Sequence, residues 1–159
     1  MGRIILFFLG VILQSVSFAT TSNEHAKSGQ LLVFVSFSMS KISLQQWATQ
    51  CQKVGGTLVL RGFKNNSLKE TLSAANVIFK DRVEGMIVDP TAFERYAIKT
   101  VPAVLVTDQN LVPCNETNCP ISRFDVIYGD IGLKYALEKI KNDGELDKNA
   151  QIYLERLNA

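Results

Sequence analysis

Hydrophobic and polar positions divide this chain into short apolar runs alternating with amphipathic segments. Leu31 to Phe37 is a continuous β-branched and aromatic run, the pattern of a strand buried on both faces. Ser43 with Gln46 three residues on predicts a capping box, and Leu44, Trp47, Ala48, Cys51 and Val54 then form one helical stripe ended by Gly55-Gly56. Thr57–Leu60 reads as a second strand. Ser67 and Glu70 open a second helix whose Leu68, Leu72, Ala75 and Phe79 are expected to face inward. Met86–Val88 is a short extended segment, and Asp89-Pro90 supplies an N-cap followed by proline at the first helical position, anchored by Phe93, Tyr96 and Ala97. Beyond Pro102 come a strand at Ala103–Thr107, a polar turn, and another strand at Arg123–Tyr128. Gly129-Asp130 is expected to cap a helix carrying Leu133, Ala136, Leu137 and Ile140, and Leu146, Ile152, Leu154 and Leu157 suggest a last, weaker helix. The order predicted is β-α-β-α-β-α-β-β-α, with the first strand pair parallel and the last two strands forming an antiparallel edge hairpin.

The first nineteen residues stand apart. Arg3 precedes an apolar run from Ile4 to Leu13, and Ser17-Phe18-Ala19 has the small-x-small pattern of a signal-peptidase site. That run is shorter than the ~20 residues of a confident membrane span, and no second such stretch follows. The expected organisation is a leader over 1–19, a flexible tail over 20–30, one domain over 31–142, and a C-terminal helix or tail over 143–159, with a periplasmic location and no stable membrane insertion after cleavage. Removing Arg3 with the leader takes Lys+Arg from 17 to 16 against 15 Asp+Glu. So even a balance gives no footprint for nucleic acid and no polybasic membrane patch.

Export also sets the reading of the three cysteines. Cys114 and Cys119 bracket four polar residues, and outside a reducing cytosol a local disulfide is the simplest assignment. Closing so small a ring is worth about 2 kcal/mol in the chain-entropy model. A redox-active pair is the alternative. Cys51 lies on the apolar stripe with Leu44 and Trp47 and reads as a small buried hydrophobe, with an intermolecular disulfide as the rival. Two cysteines and the distant His25 make no tetrahedral zinc set, and no Gly-rich phosphate loop or cofactor motif is present. No metal or cofactor is expected.

Lys99-Thr100-Val101-Pro102 leading into Ala103–Val106 is how a thioredoxin-like domain presents its cis-proline loop, and the element order is the thioredoxin arrangement, an α/β fold with a central mixed sheet flanked by helices. A redox enzyme of that fold carries Cys-x-x-Cys where the first strand meets the first helix. Here that junction reads Phe37-Ser-Met-Ser-Lys41, with no thiol to ionise at the helix start. Ser38 and Ser40 have no neighbouring base, so capping is their expected work and no catalytic residue is assigned.

Three segments carry a closer likeness: Phe34-Val-Ser-Phe-Ser-Met39, Leu60-Arg-Gly-Phe-Lys-Asn-Asn-Ser-Leu68, and Asp89-Pro-Thr-Ala-Phe-Glu-Arg-Tyr-Ala-Ile-Lys-Thr-Val-Pro-Ala-Val104. Through them the chain resembles the TrbC family of F-type conjugative transfer systems, over roughly residues 31–140. The resemblance implies a periplasmic factor needed for assembling the conjugative pilus. It also implies TraW as the usual partner, since the two are fused in some systems, with TraU nearby. The family's longer polar N-terminal extension has no counterpart here, and the cysteine-bounded insertion matches none of its motifs. The pilin precursor that shares the name in P-type systems is a membrane protein with long hydrophobic segments, which this chain lacks.

The functional expectation is therefore binding without redox chemistry, set against a periplasmic thiol-disulfide oxidoreductase as the alternative. Thr100-Val101, before Pro102, offers an edge on which a partner strand can pair. Arg61 has no backbone duty that the sequence reveals, and divides evenly between pairing with a buried carboxylate and touching a partner.

Overall fold

A computed structural model describes residues 29–79, 85–109 and 123–159 of the chain. The leader, most of the N-terminal tail and the Cys114/Cys119 pair lie outside the described residues. The elements are β1 (Gln30–Val35), α1 (Lys41–Val54), β2 (Thr57–Leu60), α2 (Leu68–Phe79), β3 (Met86–Val88), α3 (Pro90–Arg95), β4 (Ala103–Thr107), β5 (Phe124–Tyr128), α4 (Leu133–Asp143) and α5 (Asp147–Asn158). They form an α/β fold around one five-stranded mixed sheet of order β3-β2-β1-β4-β5. β1, β2 and β3 run parallel, joined by helical crossovers, while β4 is antiparallel to both β1 and β5.

Strand β1 lies at the centre, and Leu31 through Val35 are each 0% exposed. Alternation sends Leu31, Val33 and Val35 to one face of the sheet, where they meet α1, α2, α4 and α5. Leu32 and Phe34 point to the other, against Ala92 and Phe93 of α3 and the adjoining Tyr96 and Ile98. Phe34, Phe93, Tyr96 and Phe124 form a chain of edge-to-face ring contacts on that side, the closest being Phe34–Phe93 at 4.8 Å. Among the described residues, four helices cover one face and a six-residue helix covers the other.

Several local expectations need correction. β1 begins at Gln30, inside the stretch expected as tail, because Gln30 pairs with Thr107 across the sheet. It ends at Val35, two residues early, where Met39 N–H donates to Ser36 O and turns the chain. The cap of α1 is Ser40, whose hydroxyl accepts from Ser43 N–H at 3.1 Å. Ser43 itself turns inward and donates to Asp130. On α2 the buried residues are Thr71, Ala75 and Phe79, whereas Leu68 and Leu72 are 57% and 49% exposed. Thr71 takes the inward place because its hydroxyl donates to Ser67 O and accepts from Lys64 N–H, both at 2.8 Å. The expected cap of α3 is present: Asp89 accepts from Ala92 N–H at 3.0 Å, with Pro90 following.

Asp130 does not cap α4, which starts after Gly132 without a side-chain cap of its own. The carboxylate reaches back to α1 instead, accepting from Ser43 Oγ and Trp47 Nε1, each at 2.8 Å. Gln50 of α1 supplies the missing cap, accepting from Leu133 N–H at 2.8 Å. These three bonds tie the β5–α4 turn to α1 across more than eighty residues of sequence. α5 belongs to the same packing unit, with Ala150, Tyr153 and Leu154 in the core shared by α1 and α4. Tyr153 Oη donates to Gly29 O at 3.2 Å, and Arg156 donates to Val54 O at 3.1 Å.

Asp130→Ala removes both acceptors and leaves the buried Trp47 N–H without its partner. It is expected to lower stability by about 1–3 kcal/mol in urea unfolding, with Asp130→Asn, which keeps an acceptor, losing less. An unchanged Asp130→Ala midpoint would show that the turn is held by packing alone.

Candidate functional site

The parallel strands β1 and β2 end on the same side of the sheet, and the segments leaving them pass to one face while α3 lies on the other. In open α/β sheets this is where ligand clefts form. Here a cleft of about 630 Å³ opens between the turn after β1, the loop after β2 and the segment before β4. Ser36, Phe37 and Ser38 form one wall, Arg61 to Asn65 another, and Phe93, Lys99 and Val101 the third.

The wall after β1 is the junction between the first strand and the first helix, which carries serines and no cysteine. Its two serines are occupied with each other: Ser38 N–H and Oγ reach Ser36 Oγ at 3.2 and 3.0 Å. Ser40, one turn on, is committed to capping α1. No carboxylate or imidazole bonds either serine among the described residues, and His25 lies outside them. The arrangement can accept and donate hydrogen bonds to a ligand, and nothing in it activates a hydroxyl.

Opposite this wall, the Val101–Pro102 peptide bond is cis. Pro102 is buried, and its carbonyl accepts from Gly129 N–H at 3.0 Å, fixing the start of β4 against the end of β5. Thr100 is exposed and Val101 half-buried. Neither Thr100 nor Val101 makes a backbone hydrogen bond with any described residue, although the chain is strand-paired from Ala103 onward.

Arg61 links the two sides. Its guanidinium donates to Ile98 O at 2.7 Å and lies 4.9 Å over the Phe93 ring. The acceptor is therefore a backbone carbonyl rather than the buried carboxylate that was one of the two expected partners. A planar guanidinium held by one hydrogen bond and one ring face is fixed in direction, and the rest of its five N–H donors remain for other acceptors. Thr100 and Pro102 thus flank Val101 without lining the cleft, where the structure brings Arg61 and Val101 together. Lys64, Lys99 and Phe63 join them, which sequence reasoning missed. Their one signal was position, in the loops just after or before strands that meet at the middle of the sheet.

Cys51 lies on α1 beneath the sheet face, 1% exposed and without a disulfide. Gly56 approaches so closely that an added Cβ would stand 2.8 Å from Cys51 Sγ. Burial pushes the thiol from an ordinary 9.0 up to about 12, so it is protonated and unreactive at neutral pH. Among the described residues no cluster of His, Cys, Asp or Glu could hold a metal ion, and no helix is long and apolar enough to cross a membrane.

The fold and cleft define an α/β domain with a cationic, hydroxyl-bearing hollow at the strand ends of a mixed sheet. The chain belongs to the family of type-F conjugative transfer system pilin assembly proteins, whose profile matches residues 33–140. It is also 35% identical over 115 residues to periplasmic protein TrbC of Escherichia coli (strain K12), an alignment covering 72% of this chain and 49% of that protein. The chain spans about half the length of that curated relative. No solved structure matches it.

The raised Cys51 value carries a testable sign. From about pH 9 to about 12 the unfolded chain releases a proton that the folded chain keeps. The stability attached to this group is complete below that window and is lost as pH rises through it. Cys51→Ala is expected to flatten the decline of the urea midpoint with alkaline pH relative to wild type. A thiol reagent at pH 8 should label the position only after unfolding. Rapid labelling of Cys51 in the native chain would contradict its placement.

Proposed function

We propose that this chain is a periplasmic assembly factor of an F-type conjugative type IV secretion system, required for building the pilus and acting by binding partner proteins without redox chemistry. Membership of the pilin assembly family supports the process, and the relative described as periplasmic supports the compartment. The leader over 1–19 would deliver the chain there, and the Cys114–Cys119 pair would close as a local disulfide. For the mechanism one observation carries the reading. At the β1–α1 junction the cleft is lined by mutually bonded serines, and the described cysteine is buried elsewhere as a protonated thiol.

In this reading the domain is a thioredoxin-like scaffold. The sheet order β3-β2-β1-β4-β5 and the cis Val101–Pro102 bond support that description. What remains useful in such a scaffold, once the dithiol is gone, is its peptide-docking edge. Thr100 and Val101 have backbone groups with no partner among the described residues, as β-augmentation requires. The partner proposed for that edge is a TraW-like protein, with a TraU-like protein nearby in the assembly.

Transfer frequency from donors whose conjugative element lacks this gene tests the reading. Transfer is expected to collapse and to be restored by the wild type. Restoration is also expected from a variant with Cys51→Ala, Cys114→Ser and Cys119→Ser, alanine being chosen at the buried site. Undiminished transfer without the gene would overturn the assembly role. Failure of the folded triple variant, together with insulin reduction by the wild type, would establish thiol-disulfide exchange instead. For the docking edge, a folded Val101→Asp variant is expected to bind the TraW-like protein at least about tenfold more weakly, because a charge is placed at the edge of a strand pairing. Wild-type affinity in that variant would remove the edge from the account.

A further inference from the structure

The chain as a whole is almost neutral, yet the cleft is not. Arg61, Lys64 and Lys99 line it, and no Asp or Glu does. None of the three cations has an ion pair among the described residues, whereas Arg123, Lys134 and Lys139 are each paired with a carboxylate. Acids on neighbouring segments have other partners or border other hollows: Asp89 caps α3, and Glu70 lines a separate hollow that Lys64 also borders. Glu70 accepts from Asn65 Nδ2 at 2.7 Å, and Glu94 borders a separate hollow behind Arg61 and Lys99. Arg61 is also pre-oriented by Ile98 O and the Phe93 ring, so an incoming anion would order little that is not ordered already.

The rest of the lining narrows the ligand. Phe37 and Phe63 border the cleft, and Phe63 is 47% exposed. Val101 contributes a backbone N–H and C=O that no described residue uses. A free anion has no use for an apolar rim, and a nucleic-acid strand needs a longer track of cations than three around one hollow. An extended peptide uses all of these features at once. We infer that the cleft accepts an extended acidic segment of a partner polypeptide, its backbone pairing at Val101 and its carboxylates reaching Arg61, Lys99 and Lys64. This rests on the docking reading proposed above and adds the charge of the segment that docks.

Fluorescence anisotropy on the purified mature chain tests it. The probe is a labelled decapeptide alternating glutamate and valine, compared with its glutamine-for-glutamate counterpart and with oligothymidine of equal length. The acidic peptide is expected to bind at least about tenfold tighter than the glutamine peptide, the preference that two or three partly screened ion pairs supply, and to weaken as salt rises. The double variant Lys64→Gln/Lys99→Gln changes two exposed side chains with no structural bond and should abolish most of that preference with an unaltered melting curve. Arg61→Gln is expected to do the same and also to loosen the loop before β4. Equal binding of the acidic and glutamine peptides, binding of neither, or tighter binding of oligothymidine would overturn the inference. So would an acidic preference that survives in the double variant. The docking role itself would still stand if transfer depended on Val101 while the acidic preference was absent, so the two failures are distinguishable.

Discussion

Strand β1 is paired on both edges and buried on both faces, and the remaining architecture is arranged to satisfy it. Its backbone donors and acceptors are taken up by β2 on one side and β4 on the other. Its side chains reach two separate cores, one beneath four helices and one beneath α3. A strand with no exposed side from Leu31 to Val35 can leave the interior only where its polar neighbours begin. That point is Ser36, and the turn it starts becomes a wall of the cleft. The candidate site is thus where the most constrained element of the fold runs out.

The same constraint explains why the cleft is open. α1 and α2 lead away from the ends of β1 and β2 on one face, while α3 crosses beneath the other to deliver β4 to the far side of β1. The loops between them diverge, and Arg61 spans part of the gap by bonding Ile98 O. Opposite the serines, the chain before β4 carries backbone groups that the sheet has not yet taken up. Structural support and a place in the cleft meet in one guanidinium, so Arg61 is both strut and candidate contact.

Much of this was legible in the chain. The unbroken apolar run of β1, the stripe of α1 and the Asp89-Pro90 start of α3 each state their structure locally, because burial and capping act through neighbouring residues. Legibility failed where distant groups decide. Leu68 and Leu72 have the right spacing for a core face, but Thr71 is drawn inward by Ser67 and Lys64 and rotates the helix away from them. Asp130 has the composition of a helix cap, but Trp47 and Ser43, far back in sequence, claim its carboxylate. Arg61 stood out by lacking a local duty. Lys64 and Lys99 did not, since charged loop residues carry no period, and only the three-dimensional meeting of loops makes them one surface.

The central claim is that an assembly factor of this family works through the cleft at the strand ends, by binding. Hydrogen–deuterium exchange on the chain, alone and in complex with the TraW-like protein proposed as its partner, tests that most directly. Protection on complex formation is predicted at residues 36–38, 61–65 and 99–102, with α4 and α5 unchanged. Protection confined to α4 and α5, with the cleft exchanging as in the free chain, would contradict the account.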